Sequence, residues 1–496
     1  MSLPPLNRLV VCLLSIIFLA VAIFDVTNSF ADQPGAKKMN VLFIAIDDLR
    51  PELGCYGESI VQSPNIDRIA REGVRFTRAF CQQAICGPSR ASLMTGMRPD
   101  SNGVLHNATY FRDTVPDVVT LSQYFGQHGY ASTFIGKIYH PGQNDEMKSW
   151  NRPAAGVKRP QPYPMGGYQL PENREAVKRR RAEVNEKYEG RLGPWGGGLA
   201  CGPAFEAADV PDNMYNDGYA ADRAVATLRQ LKDTPFFLGV GFQKPHLPFV
   251  APKRYWDLYD PADICLADNP FKPKDAPSLG LHASFELRTR IGVPKSGDLS
   301  EAESRNLIHA YLACVSYVDA QIGRILAELD KLGLRENTIV MLWGDHGWHL
   351  GDLGTWGKHT AFERALRSPL LVRTPGMKTS GQTSNALIET VDIYPTLAEL
   401  CGLTPPEGLG GDSFAALLGD PEAAGPTEAF GYHRPWAWRT KTWGPHPWCK
   451  TMRTERYRLS VWTEEMTKGK VVQVELYDHQ ADPEESDNLA KRRPEI

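Results

Sequence analysis

Four short, mostly apolar runs stand out along the chain, at residues 41–46, 132–135, 236–242 and 339–343. Runs this brief, rich in β-branched and aromatic side chains, read as strands buried on both faces. Between them, residues 65–73, 121–129, 220–232 and 301–332 carry apolar side chains at helical spacing. Strand followed by helix, repeated, predicts an α/β fold with a mostly parallel sheet. Residues 151–211 interrupt the alternation with Pro, Gly and charge, as a surface insertion does. Within it, Lys178-Arg179-Arg180-Arg181 reads as a solvated helix face or as a contact for a polyanion. Composition shifts again at 419–426, beyond which 456–462 and 471–477 read as an antiparallel pair. The expected organisation is a catalytic domain over 32–420 and a smaller α+β subdomain over 421–496.

The N-terminus changes the picture of where the protein works. Arg8, an apolar run over 9–24 and small residues ending at Ala31 fit a cleavable export signal over 1–31. The run is shorter than the roughly 20 apolar residues a spanning helix needs, so export to a periplasmic, extracellular or lysosomal compartment is expected, without stable membrane insertion. Lys and Arg number 55 against 58 Asp and Glu, a net charge of −3, which gives no global field to attract nucleic acid. The nine cysteines are scattered without zinc or disulfide spacing.

Candidate chemistry falls just after the strands. Asp47-Asp48 follow the first, Lys137 and His140 the second, Lys244 and His246 the third, and Asp345-His346 the fourth. In a parallel sheet these ends share one edge, the edge where ligands bind in open α/β folds. Three carboxylates converging there would repel one another unless a cation lay between them, and oxygen-rich ligands suit calcium or magnesium. Residues 86–96 read Cys-Gly-Pro-Ser-Arg-Ala-Ser-Leu-Met-Thr-Gly, with Pro88 placed for the first turn of a helix. Cys86 is then either a nucleophile at a positive helix end, with Arg90 nearby, or a buried cysteine before a helix.

Cys86-x-Pro88-Ser89-Arg90 with Thr95-Gly96 resembles the signature of the type I formylglycine-dependent sulfatases. The likeness runs on through Asp47-Asp48, Gly136-Lys137, Lys244-Pro245-His246, Asp345-His346-Gly347, Asp392-Ile393-Tyr394-Pro395-Thr396 and Glu475-Leu476-Tyr477-Asp478. Asp47-Asp48-Leu49-Arg50-Pro51, Gln82-Gln83-Ala84-Ile85-Cys86 and Lys244-Pro245-His246-x-Pro248-Phe249 are similar to the iduronate-2-sulfatases. The resemblance implies an alkaline-phosphatase-like doubly wound sheet flanked by helices, with a C-terminal domain on a four-stranded antiparallel sheet. It implies one divalent cation, calcium in this family, held by Asp47, Asp48, Asp345 and His346 with residue 86. It implies that a maturation enzyme oxidises Cys86 to formylglycine, whose hydrate Arg90, Lys137 and His140 hold and activate, while His246 and Lys358 grip the sulfate. The implied substrate is a sulfated carbohydrate: the 2-O-sulfate of a terminal uronic acid in a glycosaminoglycan or another sulfated polysaccharide. Many sulfatases carry Asn where this chain has His346, and Cys201 shows no disulfide partner nearby. Specificity is expected to reside in 151–211 and 433–448. The alternative on the same fold is a phosphatase or phosphodiesterase, which would use unmodified Ser or Thr and further Asp and His ligands for a second metal.

Overall fold

The computed structural model describes residues 38–160, 165–191, 198–435, 447–466 and 469–496. The export segment and most of the 433–448 loop lie outside the described residues. Seven strands form the main sheet: β1 (Asn40–Ile46), β2 (Val74–Phe80), β3 (Ala131–Gly136), β4 (Phe236–Phe242), β5 (Thr338–Gly344), β6 (Arg367–Arg373) and β7 (Thr383–Glu389). Their order is β7-β2-β6-β5-β1-β4-β3. β1 pairs parallel with β4 and β5, β3 with β4, and β7 with β2. Only β6 is reversed, antiparallel to β2 and β5.

β1 lies inside the sheet, between β5 and β4, and both its faces are apolar. Leu42, Ile44 and Ile46 pack with Ile66 of α1 (Pro64–Glu72), Leu228 of α5 (Asn216–Leu231) and Leu312 of α6 (Glu301–Lys331). Val41, Phe43 and Ala45 face the other way, onto Met94 of α2 (Cys86–Thr95), Phe125 of α3 (Leu121–Gln127) and Leu397 of α7 (Ile393–Leu400). The period-2 alternation of a strand thus feeds two helical layers. The four apolar runs coincide with β1, β3, β4 and β5. β2 escaped the pattern because Arg75, Thr77 and Arg78 break it up where one face is only partly covered, and β6 and β7 did so because Arg367, Pro369 and Arg373, and Thr383, Ser384 and Asn385, interrupt their apolar positions.

The 151–211 insertion is more than a surface loop. It carries α4 (Pro171–Lys187), and its Phe205–Ala208 strand pairs in parallel with Phe249–Pro252, the segment beyond β4. Buried Glu206 accepts from the backbone N–H of Gln169 at 2.6 Å and the Tyr215 hydroxyl at 2.6 Å, so polar groups pin the insertion down. Lys178 and Arg180 pair with Glu175 and Glu183 on an exposed helix face, in keeping with the solvated reading.

Four antiparallel strands complete the chain: β8 (Glu428–His433), β9 (Trp448–Thr454), β10 (Tyr457–Thr463) and β11 (Val471–Asp478). A buried ionic network joins this sheet to the loop between β5 and β6. Arg458 donates to Glu485 at 2.6 Å and to Glu363, which also accepts from Arg453 at 3.2 Å. The eight described cysteines are all free. Among the described residues, no helix is long and apolar enough to cross a membrane.

Arg458→Leu removes the guanidinium that two buried carboxylates share, and unfolding in urea at neutral pH is expected to show a loss of about 3 kcal/mol. Burial works to raise the Glu363 carboxyl, but Arg458 leads the groups that hold it down to about 2. Its contribution is therefore complete above the ordinary Glu value of about 4.3 and is lost as pH falls toward 2, so the gap between wild type and variant should narrow in acid.

Candidate active site

The ends of β1, β4 and β5 are flush, and the ladder extends one residue past them. Asp47 N–H donates to Phe242 O at 3.2 Å, and Asp345 N–H to Ile46 O at 3.1 Å. This lays the two aspartates side by side. Asp48 then turns in the left-handed region, at φ 60°, and its N–H donates to Asp345 Oδ1 at 3.0 Å. Lys137 comes over Asp47 because two glycines let β3 and β4 close: a Cβ on Gly136 or Gly241 would fall 2.0 Å from a carbonyl oxygen of the facing strand. Lys137 Nζ donates to Asp47 Oδ2. The loop that leads into reversed β6 returns across the same edge, where Lys358 Nζ lies 2.7 Å from Asp48 Oδ1.

Cys86 arrives from β2 as the first residue of α2, a helix buried along its whole length. Its Sγ lies 3.4 Å from His346 Nε2 and 3.4 Å from Lys358 Nζ. Burial, and then Asp47, push the thiol up to about 11, so as a plain cysteine it stays protonated at neutral pH. Arg90, one turn on, donates through Nε to Asp345 Oδ2 at 2.8 Å and through Nη1 to Ile138 O at 3.0 Å, with Nη2 3.6 Å from Asp47 Oδ1. It links α2 to the ends of β1, β3 and β5.

Asp47, Asp48, Cys86 and His346 each offer an atom to one small buried cluster. Two of its oxygens, Asp47 Oδ1 and Asp48 Oδ2, are buried without a hydrogen-bond donor. Burial works to raise Asp47, but Lys137 leads the cations that hold it well below the usual carboxylate range. Asp48 moves the other way: burial raises it, Lys358 opposes, and the neighbouring Asp47 charge reinforces the rise. Two adjacent carboxylates that resist ionising together are what a divalent cation relieves. His346 suits such a cation too. Its Nδ1 lies 3.0 Å from Gly347 O, which fixes the proton there and turns the Nε2 lone pair toward Asp48 Oδ1 at 3.4 Å and Asp345 Oδ1 at 3.5 Å. Both Asp345 oxygens already receive protein N–H groups, one from Asp48 and one from Arg90.

His246 stands on the far side of the cluster. Asp217, at the start of α5, accepts from the N–H groups of Gln243 and Lys244 at 2.8 Å each, and Lys244 Nζ donates to His246 O and to Pro248 O at 2.7 Å. These bonds fix the loop. His246 Nδ1 is bonded to Leu247 O at 2.6 Å, which leaves Nε2 3.9 Å from Asp48 Oδ2 and 3.3 Å from Glu286 Oε1. Burial, then the Lys358 charge, lower its pKa well below the ordinary histidine value. Burial, then Lys137, take His140 to about 3, so it is neutral at working pH. A cavity of about 270 Å³ opens beside these groups, with Asp47, Lys137, His140, His246, Asn216 and Gly166 in its wall. The insertion therefore reaches the site.

Asp47, Asp48, Cys86, Arg90, Lys137, His140, His246, Asp345, His346 and Lys358 lie together at this edge. Reading the sequence missed three others: Asp217; Asn107, whose Oδ1 accepts the Gly87 N–H at 2.8 Å; and Glu286, whose Oε2 is 3.8 Å from Lys358 Nζ. Neither Asn107, in Asn107-Ala108-Thr109, nor Glu286, in an irregular stretch, lies in a motif that marks it for this site. Asp48, His246 and Glu286 form a second potential cation cluster, but Lys358 already bridges Asp48 and Glu286 there.

Comparison with known proteins agrees with this geometry. A sulfatase family model matches residues 39–403, and a model of the N-sulphoglucosamine sulphohydrolase C-terminal region matches 344–495. Iduronate 2-sulfatase of Mus musculus is 36% identical over 406 residues, covering 74% of this chain and 69% of the mouse protein. The protein of that name from Homo sapiens is 35% identical over 406 residues, covering 74% of this chain and 70% of the human one. A solved structure in complex with its substrate D-glucosamine-2-N,6-O-disulfate superposes with a TM-score of 0.69 at 22% identity, over 93% of this chain and 96% of that one. The chain belongs to the sulfatase family and is a sulfuric ester hydrolase with the alkaline-phosphatase-like fold.

A divalent cation, calcium or magnesium, added to chelator-treated protein is expected to raise the melting temperature by several degrees. Asp48→Asn should weaken that response at least about tenfold in cation concentration, measured by thermal melts across a titration of each ion.

Proposed function

We propose that the protein hydrolyses the 2-O-sulfate of a terminal uronic acid in a glycosaminoglycan or another sulfated polysaccharide, with residue 86 acting as formylglycine. The observation that carries this reading is the position of the residue-86 side chain, 3.4 Å from both Lys358 Nζ and His346 Nε2 at the start of a buried helix. A formylglycine hydrate would supply the nucleophile and a second hydroxyl whose deprotonation would rebuild the aldehyde and break the carbon–oxygen bond to the departing sulfate. A divalent cation, calcium by family resemblance, held by Asp47, Asp48, residue 86, His346 and Asp345, would screen the sulfate oxygens. The sugar specificity rests on likeness to proteins named iduronate 2-sulfatase.

The protein's own groups divide the remaining work. Lys358 and His246 flank the place of the sulfate, one as a fixed charge and one as a proton donor through Nε2 to the departing sugar oxygen. Burial and then the Lys358 charge disfavour protonated His246, and a bound sulfate offsets the second of these. Lys137 keeps Asp47 ionised, and Arg90 holds α2 against the strand ends. Neutral His140 accepts the proton released when sulfate leaves. The 1–31 segment directs export, and a formylglycine-generating enzyme acts on Cys86.

Protein made alongside such an enzyme should yield a peptide over residue 86 that is lighter than its cysteine form and reacts with carbonyl reagents. Fully active protein with an intact thiol in that peptide would end this reading. His246→Ala should lower kcat/KM on sugar sulfates at least about a hundredfold, and distinctly less on activated aryl sulfates that need no proton to leave.

A further inference from the structure

We propose that Glu286 determines specificity at the carbon next to the sulfated one, accepting a hydrogen bond from a free hydroxyl there and rejecting a second anionic group. The inference rests on the sulfatase reading of the site. Glu286 Oε1 lies 3.3 Å from His246 Nε2, the atom that faces the departing oxygen. On a sugar ring, the hydroxyl next to that oxygen lies about one hydrogen-bond length from it. With the ester oxygen at His246, the neighbouring hydroxyl therefore reaches the Glu286 carboxylate.

The carboxylate is held there by a built wall. Ser284 turns in the left-handed region at φ 52°, and its Oγ accepts the Trp356 N–H at 2.9 Å. The Phe285 ring packs 5.0 Å from that of His359, and Leu287 is buried in the core. His282 engages Lys358 O and accepts the Ser284 N–H at 3.0 Å. The segment that presents Glu286 is thus tied to the segment that presents Lys358. The Glu286 side chain remains 19% exposed, open to a ligand. Around it the site is built for anions, so a carboxylate at this point separates a ring with one sulfate from a ring with two adjacent sulfates.

The test compares kcat/KM on three 2-sulfated uronic acids, carrying a free 3-hydroxyl, a 3-O-methyl ether or a 3-sulfate, with an aryl sulfate as reference. Wild type should prefer the free hydroxyl at least about tenfold over either alternative, the worth of one hydrogen bond to a charged group. Glu286→Gln should erase most of the discrimination against the 3-sulfate. Glu286→Ala should lose about tenfold or more on the free-hydroxyl sugar relative to its own loss on the aryl sulfate. Unchanged ratios in Glu286→Gln overturn the proposal even if the alanine variant does not fold. So does a fall in calcium content from two ions per chain to one, which would make Glu286 a metal ligand. Wild type that turns over none of the sulfates removes the sulfatase reading itself, and this inference with it.

Discussion

Three carboxylates at the end of one sheet, shut off from water, govern the arrangement around them. An ionised carboxylate in such a place costs several kcal/mol unless a counter-charge is held against it. Arg90, Lys137 and Lys358 provide that charge from three separate segments: α2, the β3 end and the loop before β6. None of these segments can leave without exposing an unpaired charge. Assembly of the site and closure of the fold are therefore one event, and the reversed β6 matters because it sends the Lys358 loop back over the strand ends.

The sequence made the centre of this design readable and its margins less so. β1, β3, β4 and β5 are buried on both faces, so their composition alone marks them. Polar residues that directly follow such strands must share an edge. β2 and β7 lie toward the far side of the sheet, where arginine and threonine alternate with apolar positions and blur the period. Glu286 was invisible for another reason. Nothing local marks a carboxylate whose partners, His246 and Lys358, lie 40 and 72 positions away, and only tertiary packing brings them together. The inner order of the 151–211 insertion was hidden by its Pro and Gly content, because buried Glu206 organises it by side-chain to backbone bonds that leave no hydrophobic pattern.

The second ionic network, around Arg458, repeats the same logic where the two sheets meet. Glu363 and Glu485 accept from one guanidinium that is only 1% exposed, and Glu363 begins the short turn after the Lys358 segment. The C-terminal sheet thus braces the loop that carries a sulfate-binding candidate from behind. This gives the smaller sheet a mechanical part in the site without requiring it to touch the reacting atoms.

Cys86 is 1% exposed, and every residue of the helix behind it is buried. In the closed fold an oxidising enzyme has no access to this thiol. Under the formylglycine proposal, conversion belongs to the nascent chain, before β2 has found β6 and β7. A molecule that folds first is committed to its thiol for life, so the fraction of working protein is decided by a race between folding and oxidation.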